Sequence, residues 1–369
     1  MSRSVPPPSL ATVGRNVEDC LRALLDAEAQ RWTTFDADLS DPIGEIARLV
    51  LAGGKRLRPA FTYWGFVGAG GDPDDPMVVR AGAAFELMHA FALFHDDVMD
   101  DAATRRGAST THTVFAERHS QQLWAGESRR FGEGVAILIG DLAFVYADRL
   151  LQGVTAEAWG VWNELRVELN VGQILDLLGG ATRDRGQDKA ARICRYKSGK
   201  YTIERPLHLG AVLANPSAAV VAGSSGPTLQ QRRTEEVMTS LSAYGLPLGD
   251  AFQMRDDVMG AFGDPAITGK PVGGDLREGK PTPLLARAVA MAAPAQRSVL
   301  GEVGRPGLSD DDVARIQQTI VDTGALASME ATIDALTDDA LTAIATAPIV
   351  AEARDQLVAL AHYVSARQD

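Results

Sequence analysis

The chain has 369 residues, 46% hydrophobic and 23% charged, which is ordinary globular composition with ample length for a large core. A formal net charge of -12 excludes the broad basic footprint of a nucleic-acid binder, while a local cluster of Lys and Arg can still receive an anion. The two cysteines, Cys20 and Cys194, form no CxxC or Cys/His pattern, which excludes a disulfide framework and a sequence-evident zinc site and fits a reducing cytoplasm.

The opening stretch MSRSVPPPSL has no apolar core of a secretory signal. Residues 1–14 read as a disordered N-terminal segment and 15–369 as one domain. No window reaches 18 uninterrupted apolar residues; the best candidate for a membrane span, VAILIGDLAFVYA, carries Asp141 at its centre. Val17, Cys20, Leu21, Leu24 and Leu25 predict a helix over Asn16–Trp32. Asp41-Pro42 predicts the start of a second helix over Ile43–Leu51, with Pro at its first position. Next comes GGKRLRP, in which two glycines release the chain and Lys55, Arg56 and Arg58 gather three cations. Taken alone it is either a basic surface turn or an anion pocket. A helix from Ala60, a turn-rich loop over Gly68–Pro76 and a long helix over Val78–Asp101 follow.

That long helix ends in HDDVMDDAATRRG. Asp96 stacks over Asp100 and Asp97 over Asp101, each pair one turn apart. Like charges so spaced destabilise a helix by about 0.2–0.5 kcal/mol per pair. An acidic knot behind the apolar run AFELMHAFALF therefore wants an external reason, and a hard divalent cation such as Mg²⁺ or Ca²⁺ supplies one. The plain alternative is a solvated acidic helix end. Arg105 and Arg106 just beyond it favour a polyanion held between metal and guanidinium.

Further on, QQLWAGESRRF is a polar insert, and Gly134–Leu151 and Trp159–Gly179 predict two more helices. In the second, Gln173 and Asp176 interrupt an apolar face, and a buried polar residue must find a partner. Ala190–Leu213 holds RYKSGKYTIERPLHLG, with Pro206 expected to kink or end the helix, and 214–228 reads as a flexible loop. A second acidic stretch, QMRDDVMGAFGD, sets Gln253 one turn before Asp256 and places Asp257, Gly260 and Asp264 after it. In TGKPVGGDLREGK, Lys270 and Lys280 lie on Gly-rich chain, as a lid closing on phosphate would. The C-terminal third alternates Ala/Leu helical patterns with loops and shows no chemistry. Almost nothing alternates with period 2, so the expected class is all-α, a single-domain helical bundle.

DDVMDDAATRRG resembles the first aspartate-rich motif, DDxxD followed by RRG, of the all-trans isoprenyl diphosphate synthases (the polyprenyl synthetase family). GGKRLRP, FGEGVAILIGD, VGQILD, KSGK and the second acidic stretch resemble that family's segments in the same order, over about Ile43–Lys280. One departure is clear: Gly260 stands where the second DDxxD has its last Asp. The resemblance implies an isoprenoid-synthase bundle with a central cavity, the two acidic motifs facing each other across it. It implies three Mg²⁺, two near Asp96, Asp97 and Asp100 and one near Asp256 with Asp257 in support. It gives Lys55 and Arg58, with Arg106 and His89, to isopentenyl diphosphate. Arg105, Lys197, Ser198, Lys270, Lys280, Gln173 and Gln253 line the allylic diphosphate and the cavity. The implied reaction is ionisation of the allylic substrate, attack by the isopentenyl double bond and loss of a proton to the released diphosphate. Phe91, five residues before Asp96, and the small Ala92 point to a C20 product, with C15 as the alternative; Phe91 is otherwise plain core. A homodimer in the cytoplasm is implied as well. A class I terpene cyclase shares DDxxD but needs no second diphosphate pocket, and a non-catalytic subunit would tolerate eroded motifs; both stay open at this point.

Overall fold

A computed structural model describes residues 6–105, 107–182, 184, 186–215, 229–263 and 273–367. The expected all-α class is what it shows. Among the described residues the only strands are the two-residue pair Thr104–Arg105 (β1) and Ala108–Ser109 (β2), antiparallel with Thr104 opposite Ser109. The chain divides into two compact units, Pro8–Tyr63 with Asp72–Val154 and Trp64–Gly71 with Thr155 onward.

In the first unit, helix α1 spans Pro8–Phe35, so the expected disordered segment is corrected from Pro8 on. Its apolar stripe begins earlier than Asn16: Leu10 and Val13 are buried in line with Val17, Leu21 and Leu25. A 3₁₀ turn, Ala37–Leu39, capped by the Asp36 side chain, runs straight into α2, Ser40–Leu51. Asp41 therefore lies in the first turn of α2 and is not its cap, and its carboxylate pairs with Arg118. Helix α3 covers Leu57–Gly68. Helix α4, Pro76–Met99, starts on an Asp75 cap that accepts from Met77 N, with Pro76 in the first turn. It is apolar all round because it is the core of this unit, packed by α1, α2 and α6 (Ser128–Leu150). By length and composition alone α4 could cross a membrane, yet 61% of its most apolar stretch is already buried against protein. Helix α5, Thr111–Gln121, packs on α6, and the short turn between them occupies the place of the polar insert.

The second unit opens with α7, Ala156–Thr182, and α8, Gln187–Ile193. One ordinary helix ended by Pro206 was expected over Ala190–Leu213. The chain instead forms a π-helix over Cys194–Glu204 that continues into α9, Arg205–Ala214. Pro206 sits in the first turn of α9, where its missing N–H is least costly. Helix α10, Leu229–Phe262, carries Pro247 internally. Short helix α11, Gly274–Glu278, and α12, Pro283–Met291, follow, then α13 (Pro294–Leu300), α14 (Asp310–Asp322), α15 (Ala325–Ala345) and α16 (Ala351–Ala366). Leu276, Leu285, Ile316, Ile320, Met329 and Ile333 form their common core.

The π-helix is pinned by a buried polar network. Glu168 of α7 accepts from Lys200, and from Arg205 Nε and Nη2 at 2.6 Å each. Against the penalty of burial, these hydrogen bonds hold the Glu168 carboxyl below its ordinary range. Ser242 Oγ donates to Glu204 at 2.8 Å and lies 2.9 Å from His208 Nε2. Burial, with the Arg205 charge second, pushes His208 down to about 4. A histidine held neutral in the fold contributes stability above its unfolded value near 6.5, and that stability is lost as pH falls toward 4. The loss amounts to about 3 kcal/mol at full protonation. His208→Asn should flatten the fall in melting temperature between pH 6.5 and 4 seen with the parent chain, as thermal melts across that window would show.

Candidate active site

The first acidic motif sits where α4 ends. Asp96 and Asp97 occupy its last turn, Asp100 is the C-cap, and Asp101 turns left-handed with φ 51. That reversal corrects the picture of a helix continuing through Asp101. The chain folds back as the β1–β2 hairpin, whose turn holds Gly107 at φ 76. Thr110 Oγ1 fastens the hairpin base by donating to Ala102 O at 2.6 Å. Arg105 returns to the helix end: its Nε donates to Asp97 Oδ1 at 2.6 Å, and Nη2 lies 3.5 Å from Asp96 Oδ2. Asp97 is buried and Asp96 half-buried. Burial raises the Asp97 carboxyl despite the guanidinium beside it, and Asp96 adds to the rise. Arg106 lies outside the described residues.

In GGKRLRP, Gly53 and Gly54 take φ 88 and 153, conformations that favour glycine. The three cations then part ways. Arg56 turns inward and is 6% exposed, donating to Glu86, to Glu18 Oε1 at 2.9 Å and to Val50 O at 2.6 Å. Lys55 and Arg58 remain half-buried. Arg56 is thus the structural member of the trio, a division sequence spacing could not make. His89, two turns before Asp96 on α4, is half-buried with its Nδ1 inside the protein. Phe91 lies tilted against His95 with ring centroids 4.6 Å apart and meets Phe144 edge-on at 4.9 Å; Ala92 is half-buried beside it. The roughly 840 Å³ cavity of this unit, lined by Asp41, Phe115, Arg118, Trp124 and Phe131 among others, contains none of the predicted site residues.

In the second unit, Lys197 on the π-helix donates to Asp176 Oδ2 of α7 at 2.5 Å, so the QxxD aspartate finds its partner there. Ser198 and Gln173, neighbours in sequence of that pair, are both half-buried. Lys200 is no surface lysine, being held by Glu168. Gly172 makes the pairing possible, because its absent Cβ would lie 2.7 Å from Lys197 Cα. On α10, Gln253 Nε2 donates to Asp257 Oδ1 at 2.9 Å, so Gln253 reaches the second aspartate of the motif. Asp257 is 3% exposed, and its Oδ2 has no hydrogen-bond partner. Burial, augmented by Asp275, Asp256 and Asp176, pushes its carboxyl well above the ordinary range, against the bond from Gln253. Asp256 pairs with Arg367, whose guanidinium stacks over Phe252 at 4.0 Å. The C-terminal stretch, expected to carry no chemistry, therefore places a buried cation on the second acidic motif. Lys280 pairs with Glu278 at 2.7 Å. Asp264 and Lys270 lie outside the described residues.

Carboxylate oxygen is the donor Mg²⁺ prefers, and a buried carboxylate oxygen without a partner, as in Asp257, fits a cation. Among the described residues no three His, Cys, Asp or Glu side chains form a ready-made ligand set, so phosphate and water would complete any shell. Gly172→Ala should push the π-helix off α7, lowering stability by about 1–3 kcal/mol. Denaturant unfolding checks this.

The polyprenyl synthetase family model matches residues 41–320. The chain is 33% identical to a geranylfarnesyl diphosphate synthase of Aeropyrum pernix, covering 88% of this chain and 93% of that one. It is 33% identical to a geranylgeranyl diphosphate synthase of Mycobacterium tuberculosis over 73% of this chain and 66% of that one. Its fold matches a geranylgeranyl pyrophosphate synthase of Corynebacterium glutamicum, solved with isoprenyl diphosphate and magnesium, at TM-score 0.86 and 36% identity over 96% and 99% of the two chains.

Proposed function

The chain belongs to the polyprenyl synthetase family and is a trans-prenyltransferase, and we propose that it extends dimethylallyl, geranyl or farnesyl diphosphate with isopentenyl diphosphate and stops at geranylgeranyl diphosphate, C20. The observation that carries this reading is a pattern repeated at two helix ends. A nearly buried carboxylate stands beside a more exposed one, Asp97 beside Asp96 and Asp257 beside Asp256, as cation-dependent diphosphate chemistry needs.

Asp96, Asp97 and Asp100 would hold two of three Mg²⁺, and Asp256 and Asp257 the third. Bound there, the ions supply neutralising charge for the departing diphosphate. The chain's own part is positional and electrostatic. Arg105, Lys197 and Lys270 fix positive charge where diphosphate leaves, while Lys55, Arg58, Arg106 and His89 hold isopentenyl diphosphate. Ser198, Gln173, Gln253 and Lys280 orient the allylic chain and its phosphates. The allylic C–O bond breaks, the isopentenyl double bond attacks the cation, and the released diphosphate takes the proton. No protein general base is required.

Two further readings rest on packing. Phe91, edge-on to Phe144, supports a closed floor one turn below Asp96, consistent with C20. Val167, Val171, Ile174 and Leu178 form one exposed apolar stripe along α7, which supports a homodimer with a second copy covering that stripe.

Incubation with isopentenyl diphosphate, Mg²⁺ and each primer separately should give linear diphosphates ending at C20. Accumulation of C15 would make it a farnesyl diphosphate synthase, and hydrocarbon release without isopentenyl diphosphate would make it a cyclase. Asp96→Ala should lower turnover at least about 100-fold. Phe91→Ala should lengthen the product; an unchanged distribution removes Phe91 as the floor.

A further inference from the structure

The last helix of the chain ends against the second acidic motif. Its C-cap, Arg367, is extended (φ -65, ψ 151), and the guanidinium lies over the Phe252 ring with Cζ 4.0 Å from the ring centroid. Nη2 donates to Asp256 Oδ1 and lies 3.4 Å from Phe252 O. No described residue donates to the other Asp256 oxygen. We propose that Arg367 is a positioning residue for the second cation site. It holds Asp256 by one carboxylate oxygen, fixes the plane of that carboxylate, and leaves Oδ2 for Mg²⁺ and the diphosphate it accompanies.

Three observations carry this. The first is the side from which Asp256 is held. The Arg367 side chain is 5% exposed and the Asp256 side chain 37%. The guanidinium therefore meets the carboxylate from within the protein, and the solvent side stays open. A cation that stood in for a metal ion would sit on that open side. Arg105, at 21%, is exposed enough to touch a substrate; Arg367 acts through Asp256 instead. The second is how firmly the chain end is held. Tyr244 Oη donates to Leu357 O at 2.8 Å, and Arg255 Nε donates to Ser365 O at 2.8 Å. Arg255 also grips Glu330 of α15 through Nη1 and Nη2, at 2.7 and 2.6 Å. Arg255 directly precedes Asp256, so the turn of α10 that presents the aspartate also fixes the residue that orients it. Third, packing alone does not account for the contact. Arg367 Nε is buried without a hydrogen-bond partner, and a buried ion pair with an unanswered N–H adds little to stability.

The proposal rests on the synthase reading, and its test separates the two. Uptake of Mg²⁺ together with inorganic diphosphate is measured by calorimetry on the full chain, below the melting temperature of every variant so that folded protein is compared throughout. Arg367→Gln and Arg367→Ala should each weaken uptake about 10- to 100-fold, the range for partners that orient a metal ligand. Methylguanidinium, which refills the space over Phe252 left by Arg367→Ala, should recover most of that loss. Ethylammonium at the same concentration should recover less, because it has no planar fork for the carboxylate. Parent-like uptake by both variants would overturn the proposal and leave the synthase reading intact. Tighter uptake would overturn it as well, making Arg367 a competitor of the ion. So would a loss that methylguanidinium does not relieve, which would assign Arg367 to packing. A parent chain that takes up no Mg²⁺ with diphosphate would overturn both readings.

Discussion

A carboxylate taken out of water must be paired, hydrogen-bonded or protonated, since an uncompensated buried charge costs several kcal/mol. The chain buries carboxylates repeatedly, and how each is compensated separates scaffold from site. Glu86 meets Arg56, and Glu168 meets both Lys200 and Arg205. These pairs are closed, with the cation itself buried or nearly so. They tie α4 to the chain before α3 and fix the π-helix to α7. Asp97 and Asp257 differ. Each keeps a raised carboxyl in spite of its neighbour, because one guanidinium or one amide falls short of what burial beside a second aspartate demands. The deficit falls where a divalent cation and a diphosphate would complete the balance.

The π-helix follows from the same demand. Lys197 must face Asp176 while Lys200, three residues on, faces Glu168. Asp176 and Glu168 lie two turns apart on α7, and α7 must come close enough for both lysines to reach. Gly172, midway between the two acids, gives that close approach. Widening the backbone over Cys194–Glu204 lets both ion pairs form from one continuous segment, and π-turns are often found at functional sites for this kind of reason.

Much of this was legible in the sequence. The helical class came through because 3.6-residue periodicity runs nearly the whole length, and the acidic and basic motifs were visible because charges inside apolar runs are rare. What stayed hidden depends on which way a side chain turns. Lys55, Arg56 and Arg58 look equivalent in sequence, yet a left-handed φ of 50 at Arg56 sends only that residue into the core. Gln253 stands about a turn before both Asp256 and Asp257, and the i,i+4 register puts it on Asp257. The start of α1 was placed late because Pro-rich sequence masked Leu10 and Val13, which continue the buried stripe. Arg367 could not be foreseen at all: it lies 111 residues from Asp256 along the chain, with no motif around it.

The limits differ for chemistry and for product length, and the difference is physical. Diphosphate departure is governed by charge, and charged side chains announce themselves in an apolar helix. Chain length is governed by where an apolar tunnel ends, and the residue that ends it looks like any other core aromatic. Phe91 is distinguished only by its place, five residues before Asp96 and edge-on to Phe144. Even there its energetic signature is that of ordinary aromatic packing, about 0.5–1.5 kcal/mol beyond area burial. On the proposed reading, such a wall would stop an isoprenoid by volume, so changing the Phe91 ring to a methyl would alter the product while leaving every charge in the site untouched.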